Sequence, residues 1–299
     1  MKTLVIALGG NALLQRGEAL TWENQYRNID KVAASLGRLA QKYRLALVHG
    51  NGPQVGMLAL QNAQCQHAEP WPLDVLVAES QGMIGYMLAQ RLAAQPDMPN
   101  ITTVLTRIEI DPNDPAFDDP GKFIGPVYAR EQQDELEQRY GWQMKTDGHW
   151  VRRVVPSPRP KKILDSDAIK QLLESKHMVV CCGGGGIPVA NGAHTEAVID
   201  KDLAAALLAQ QLNADGLIIL TDADAVYAHW GTEKQYAIRA ATPEQLAPLA
   251  KNDGSMGPKV AAVSDFVRSQ KKSAWIGALD QIDLILAGRA GTCIRYAPD

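Results

Sequence analysis

The chain of 299 residues is long enough to bury a sizeable core, as one large domain or two moderate ones. Its 46% hydrophobic and 21% charged residues are typical of a globular protein, and a net charge of −3 without a sustained basic tract argues against a nucleic-acid surface. No apolar run is long enough to cross a membrane, and the densest basic stretch, RPKKI at 159–163, reads as a solvated loop.

The N-terminal stretch MKTLVIALGGNALL imitates a signal peptide, but Gly9, Gly10 and Asn11 break its apolar run and no clear small-residue cleavage site follows. In chain order, LVIAL (4–8), LALVH (45–49), TTVLT (102–106), MVVCC (178–182), GLIIL (216–220) and AWIGA (274–278) read as strands, each running into glycine or a turn. Helix-like segments cover 28–43, 74–95, 201–213 and 259–270. Continuous apolar strands alternating with helices predict an α/β fold, a three-layer αβα sandwich around a mainly parallel open sheet.

The texture changes over residues 111–160. DPNDPAFDDPGKFIGP is rich in Pro and Asp, EQQDELEQRY reads as a polar helix and WQMKTDGHWVRRVVP as a hairpin. A βα connection normally needs only a few residues. The stretch therefore predicts a small subdomain projecting from a single domain that spans 1–299. The four cysteines, Cys65, Cys181, Cys182 and Cys293, form no CxxC pair, and Cys181 and Cys182 would point to opposite faces of a strand. Neither a disulfide scaffold nor a zinc site is expected, and a reducing, cytoplasmic compartment fits.

Glycine concentrates where strands end. ALGGN (7–11), VHGNGPQVG (48–56) and CCGGGGIP (181–188) each follow an apolar run. Four consecutive glycines are costly in chain entropy. They point either to backbone crowded by its neighbours or to a ligand, usually phosphate, that must approach bare N–H groups. Three such loops at strand ends favour one polyanion site assembled from several loops. The Walker P-loop, the GxGxxG fingerprint and the protein-kinase HRD and DFG motifs are absent.

Phosphoryl transfer needs cations that neutralise the moving group. In VIDKDLAAAL, Lys201 stands between Asp200 and Asp202 at a helix start; either aspartate is a natural cap, and the lysine alone reads equally as a surface charge. In GSMGPKVAAV, Lys259 opens another helix, where a cation is disfavoured unless an anion lies nearby. Lys122 in GKFIGP reads, in isolation, as a solvated loop lysine. Asp222 and Asp224 in LIILTDADAVY suit either a nucleotide with water-held Mg²⁺ or Asx turns.

Taken together, VIALGGNAL, VHGNGPQVG, PLDVLVAESQGMIGY, TVLTRIEIDPNDPAF, GKFIGP, VVPSPRP, VVCCGGGGIPV, AVIDKDLA, LTDADAVY and GSMGPK resemble, in register and nearly end to end, the carbamate kinases of the amino-acid kinase superfamily. Sister kinases of that superfamily carry a lysine where this chain has Ala7; the resemblance implies that Lys122, in a K-x-I-G-P motif on the projecting subdomain, replaces that charge. It further implies reversible phosphoryl transfer between ATP and carbamate. The direction expected in catabolism runs from carbamoyl phosphate and MgADP to ATP, ammonia and CO₂.

Carried over by residue, Gly9, Gly10 and Asn11 would contact the transferring group, with Gly50, Asn51 and Gly52 near carbamate. Lys122, Lys201 and Lys259 would stabilise charge, Asp202 orienting lysines. Gly183, Gly184, Gly185 and Gly186 would lie between nucleotide and acceptor, and Asp222, Tyr227 and Met256 near the nucleotide. Mg²⁺ would enter with ATP or ADP, without a dedicated protein metal site, and the enzyme would be a homodimer. The competing readings are a kinase for another small carboxylate and a catalytically silent nucleotide-binding regulator.

Overall fold

The structure, a computed structural model, describes residues 1–15, 17–65, 69–250 and 255–296, with Asn11 described in its backbone alone. The chain begins with strand β1 (Lys2–Leu8), helix α1 (Trp22–Ala40), β2 (Tyr43–His49), α2 (Gly52–Gln64), α3 (Leu73–Ala93), β3 (Ile101–Thr103) and β4 (Arg107–Ile110). The segment of changed texture holds β5 (Lys122–Tyr128), α4 (Gln133–Tyr140), β6 (Gln143–Asp147), β7 (Trp150–Val155) and the start of β8 (Pro160–Ile163). Beyond it come α5 (Ser166–Glu174), β9 (Met178–Val180), β10 (Ile187–Val189), α6 (Lys201–Gln211) and β11 (Gly216–Thr221). The C-terminal part carries β12 (Val226–Ala228), β13 (Tyr236–Ile238), β14 (Ala240–Ala241), α7 (Pro243–Ala250), α8 (Met256–Gln270), β15 (Ala274–Ala278), α9 (Ile282–Leu286) and β16 (Thr292–Ile294).

The main sheet has eight strands in the order β14-β16-β15-β11-β1-β2-β9-β3. From β15 to β3 every pairing is parallel. β16 runs antiparallel to β15, with β14 parallel to β16. Alternation along β1 explains the continuous apolar runs. Leu4, Ile6 and Leu8 face the layer of α1 and α3, while Val5 and Ala7 face the layer that includes α6 and α8. The central strands thus bury both faces, and the sandwich has three layers.

Sequence and structure differ at several edges. TTVLT contributes only Thr102 and Thr103 to β3, because Thr106 turns inward: its hydroxyl accepts from the Cys182 N–H at 2.9 Å. MVVCC ends as a strand at Val180, and Cys182 adopts φ 49°, so the two buried cysteines do not alternate on a strand. HGNGPQVG, read as a flexible loop, turns into the 13-residue helix α2, with Asn51 as N-cap residue and Pro53 in the first turn, where its missing N–H costs nothing.

Lys122 is not in a loop; it opens β5, which pairs with β7 in the three-stranded sheet β5-β7-β6. That sheet and α4 share a small cluster of Leu136, Met144 and Val151, packed with Tyr128, Tyr140 and Trp142. At its base, β4 and β8 pair with each other and β4 with β10. The register of β5 shifts between Ile124 and Val127, at Gly125 (φ 71°) and Pro126. There α2 and β5 pass so closely that a Cβ on Gly56 would lie 2.0 Å from Gly125 Cα.

Candidate active site

The loops that follow β1, β2, β9 and β11 leave the sheet at one end, beyond the carboxyl termini of the parallel strands, where ligands of open α/β sheets bind. Gly9 donates its N–H to Leu220 O at 2.8 Å, so close to β11 that a Cβ would sit 2.6 Å from that oxygen. Gly10, Asn11 and Ala12 form one 3₁₀ turn; the Asn11 side chain lies outside the described residues. Gly50 borders Lys201, and Gly52 opens α2 opposite the backbone of Phe123.

The four-glycine run has a packing reason that is visible residue by residue. A Cβ at Gly183 would meet His49 Nε2 at 2.5 Å, and one at Gly184 would meet Asn51 Nδ2 at 2.1 Å. At Gly185 it would strike Ile199 O at 2.1 Å, and at Gly186 the Ile108 side chain at 2.5 Å. Gly184, Gly185 and Gly186 also have φ of 64°, 87° and 92°, open to glycine at little cost. The collisions that exclude side chains here are with the protein itself. Asn51 is in turn held by donating to Ser80 Oγ at 2.8 Å, and Gln81 Nε2 donates to Gly183 O at 2.8 Å.

Around this run the lysines converge. Asp200 caps α6 with Oδ1, accepting from the N–H of Asp202 (2.9 Å) and Leu203 (3.3 Å). Its Oδ2 accepts from Lys122 Nζ at 2.6 Å, across 78 residues of chain. Asp202, almost fully buried, accepts from Lys201 Nζ at 2.5 Å on one oxygen and from Lys259 Nζ at 3.0 Å on the other. Three ammonium groups therefore share two carboxylates, with Asp222 exposed at the end of β11 and close enough to act on Lys259.

Burial works against charge here, and the partners decide the outcome. Burial pulls Lys201 below the usual lysine range despite Asp202. Lys259 ends above that range, because Asp202 and Asp200 outweigh its burial. Burial alone would raise Asp200, but the Lys122 ammonium holds it well below the usual carboxylate range. His49 donates from Nδ1 to Gly50 O at 3.0 Å; burial, with Lys201 nearby, holds its pKa at about 4, so the ring is neutral.

The nucleotide-side candidates lie at the edge of this cluster. Asp222 accepts from Thr221 Oγ1 at 2.9 Å, whereas Tyr227 turns away to donate to Asp224 at 2.7 Å and packs edge-on against Trp230. Met256 is the first residue of α8, one turn before Lys259, and packs on the core. Gly254, from the same motif, lies outside the described residues. Sequence reasoning treated Asp200 only as a cap and passed over His49, Ser80 and Gln81. The clue was present in HGNGPQVG and AESQGMIGY, but nothing in those strings shows that they meet.

The amino acid kinase family profile matches residues 2–278. Carbamate kinase from Escherichia coli strain K12 is 71% identical over 295 residues, covering 98% of this chain and 99% of its own. Carbamate kinase from Haemophilus influenzae is 48% identical, covering 97% and 96%. Among solved structures, the carbamate kinase of Giardia lamblia bound to citric acid superposes with a TM-score of 0.91 at 38% identity, over 98% of both chains. The same enzyme bound to AMP-PNP gives 0.88, again over 98% of each. Full-length similarity at this level, together with the fold, places the chain in the amino acid kinase family, among the carbamate kinases.

Proposed function

We propose that the protein transfers a phosphoryl group between carbamoyl phosphate and MgADP, working in the catabolic direction, and that its lysine cluster does the chemistry. The observation that carries this reading is the convergence of Lys122, Lys201 and Lys259 on Asp200 and Asp202 at the carboxyl ends of the strands. The three ammonium groups outnumber the two carboxylates they pair with directly, Asp200 and Asp202. In a water-poor site such charge is worth far more than in bulk solvent. Oxygens of the transferring phosphoryl group supply the missing anion.

In the reaction, the bond from phosphorus to the carbamate oxygen breaks as a terminal oxygen of ADP bonds to phosphorus. Carbamate leaves and decomposes to ammonia and CO₂. Gly9, Gly10 and Asn11 border the moving group, and Gly50, Asn51 and Gly52, at the start of α2, border carbamate. The run from Gly183 to Gly186 spaces nucleotide from acceptor. Asp222, Tyr227 and Met256 flank the nucleotide. Mg²⁺ arrives on the phosphates of ADP as part of the substrate.

Lys122 comes from the segment 111–160, which we read as a projecting subdomain closing over the acceptor. We also propose a cytoplasmic homodimer; no helix among the described residues is long and apolar enough to cross a membrane. On the outer face of α3, Met83 and Tyr86 are 38% and 62% exposed, and Tyr26 of α1, edge-on to Trp22, donates to Gln90 of α3. This unpartnered apolar face suits a second copy of the chain. The test of activity is ATP formation from carbamoyl phosphate and MgADP. Rapid ATP production is expected, with acetyl phosphate much slower; no ATP from a folded, ADP-binding protein would move the reading to another acceptor.

A further inference from the structure

In the reading above, the lysines and the glycine loops face the oxygens of carbamate and of the phosphoryl group, and no group is assigned to the carbamate nitrogen. That nitrogen is what separates a carbamoyl group from a plain acyl group: it presents N–H donors where acetyl presents a methyl. Reading it requires an acceptor, and the carboxylates of the cluster, Asp200 and Asp202, are already engaged by lysines.

Gln54 has an acceptor free. It stands in the first turn of α2, directly after Gly50, Asn51, Gly52 and Pro53, and is only 2% exposed. Its orientation is fixed from outside. Gln25 Nε2 donates to Thr21 O at 3.1 Å, so Gln25 Oε1 is the atom that accepts from Gln54 Nε2 at 2.9 Å. Gln54 Oε1 is thereby left buried, without a donor among the described residues. Thr103, Tyr128 and Ser264 also carry buried polar atoms without partners, but theirs are hydroxyls that donate as well as accept. A carbonyl oxygen only accepts, and burying it unpaired is unfavourable until a donor arrives.

The location suits the substrate. α1, which carries Gln25, also holds the loop after β1, where Asn28 Nδ2 donates to Leu13 O at 3.4 Å. Through Gln25, Gln54 ties the start of α2, the segment assigned to carbamate, to α1, which in turn holds the segment after β1. We propose that Gln54 Oε1 accepts a hydrogen bond from the nitrogen of carbamate or carbamoyl phosphate, so that Gln54 selects the carbamoyl group over other acyl groups. The inference rests on the carbamate kinase reading given above.

The experiment compares carbamoyl phosphate and acetyl phosphate as phosphoryl donors to MgADP, using the ratio of their kcat/KM values. Gln54→Met is expected to lower that ratio at least tenfold, because a buried polar group discriminates strongly against an analogue lacking its partner. An unchanged ratio overturns the proposal whatever the absolute rates do, since a packing role at the α1–α2 contact slows both donors alike. Gln25→Met, which only releases the Gln54 amide, is expected to give a smaller fall of the same sign. If Gln54→Met does not fold, that variant decides on the same criterion. Failure of the underlying reading would show differently, as absence of ATP from carbamoyl phosphate in the unaltered protein.

Discussion

Lys201 and His49 are neighbours, and burial lowers the pKa of both. Lys201 must be protonated to stabilise a phosphoryl group, and its burial lowers its pKa, so activity is expected to fall on the alkaline side earlier than an exposed lysine would dictate. Lys201→Ala should lower kcat by about 10²–10³-fold, the scale of a lost transition-state donor. The fold should persist, because Lys259 still pairs with Asp202; steady-state kinetics and thermal melting check both halves. His49 is neutral in the folded state at about pKa 4, against 6.5 as a free side chain. As pH falls from 6.5 towards 4, the unfolded chain takes up a proton that the folded chain refuses, so stability drops. The full contribution, present above pH 6.5, is about 3 kcal/mol. In urea titrations at pH 7 and pH 4, His49→Gln should lose less stability on acidification than the parent by about that amount. An equal loss in both would show that His49 is not the group responsible.

The strand that brings Lys122 to Asp200 is the one that meets α2 at a close joint. Lys122 and Gly125 lie on the same strand, and the backbone of Gly125 rests against Gly56. A methyl at Gly56 cannot be absorbed by a rotamer change, since the atoms it meets are backbone. Gly56→Ala should therefore push β5 away from α2 and slow turnover by about 10-fold or more, while MgADP affinity stays within a few-fold. Lys122→Ala should also slow turnover, without changing that joint. If Gly56→Ala turns over normally while Lys122→Ala is impaired, the lysine reaches the site without help from this contact.

The main sheet is covered on both faces by helices, and the outer face of α3 exposes Met83 and Tyr86, as other parts of the surface expose Trp71 and Trp230. Sedimentation is expected to give a dimer for the parent chain. Tyr86→Glu should shift it towards monomer, because a carboxylate at the centre of an apolar interface is buried unpaired. A dimer that survives this change places the interface elsewhere.

Strand and helix alternation was legible in the residue pattern, because burial on both faces writes itself into continuous apolar runs such as LVIAL and GLIIL. The ten motifs in register carried the family, since their glycines and lysines occur together for a chemical reason. Tertiary structure alone decided which groups meet. Asp200 binds Lys122 across 78 residues, and Asp202 binds Lys259 across 57. No local signal encodes such pairs, because they depend on where a hairpin and two helix starts come to rest. The four glycines show the same division. Their presence left crowded backbone and a phosphate ligand both open, with the ligand favoured, and only the packed fold shows that His49, Asn51, Ile199 and Ile108 crowd them. A bare Cα has the same sequence symbol whatever its neighbour is.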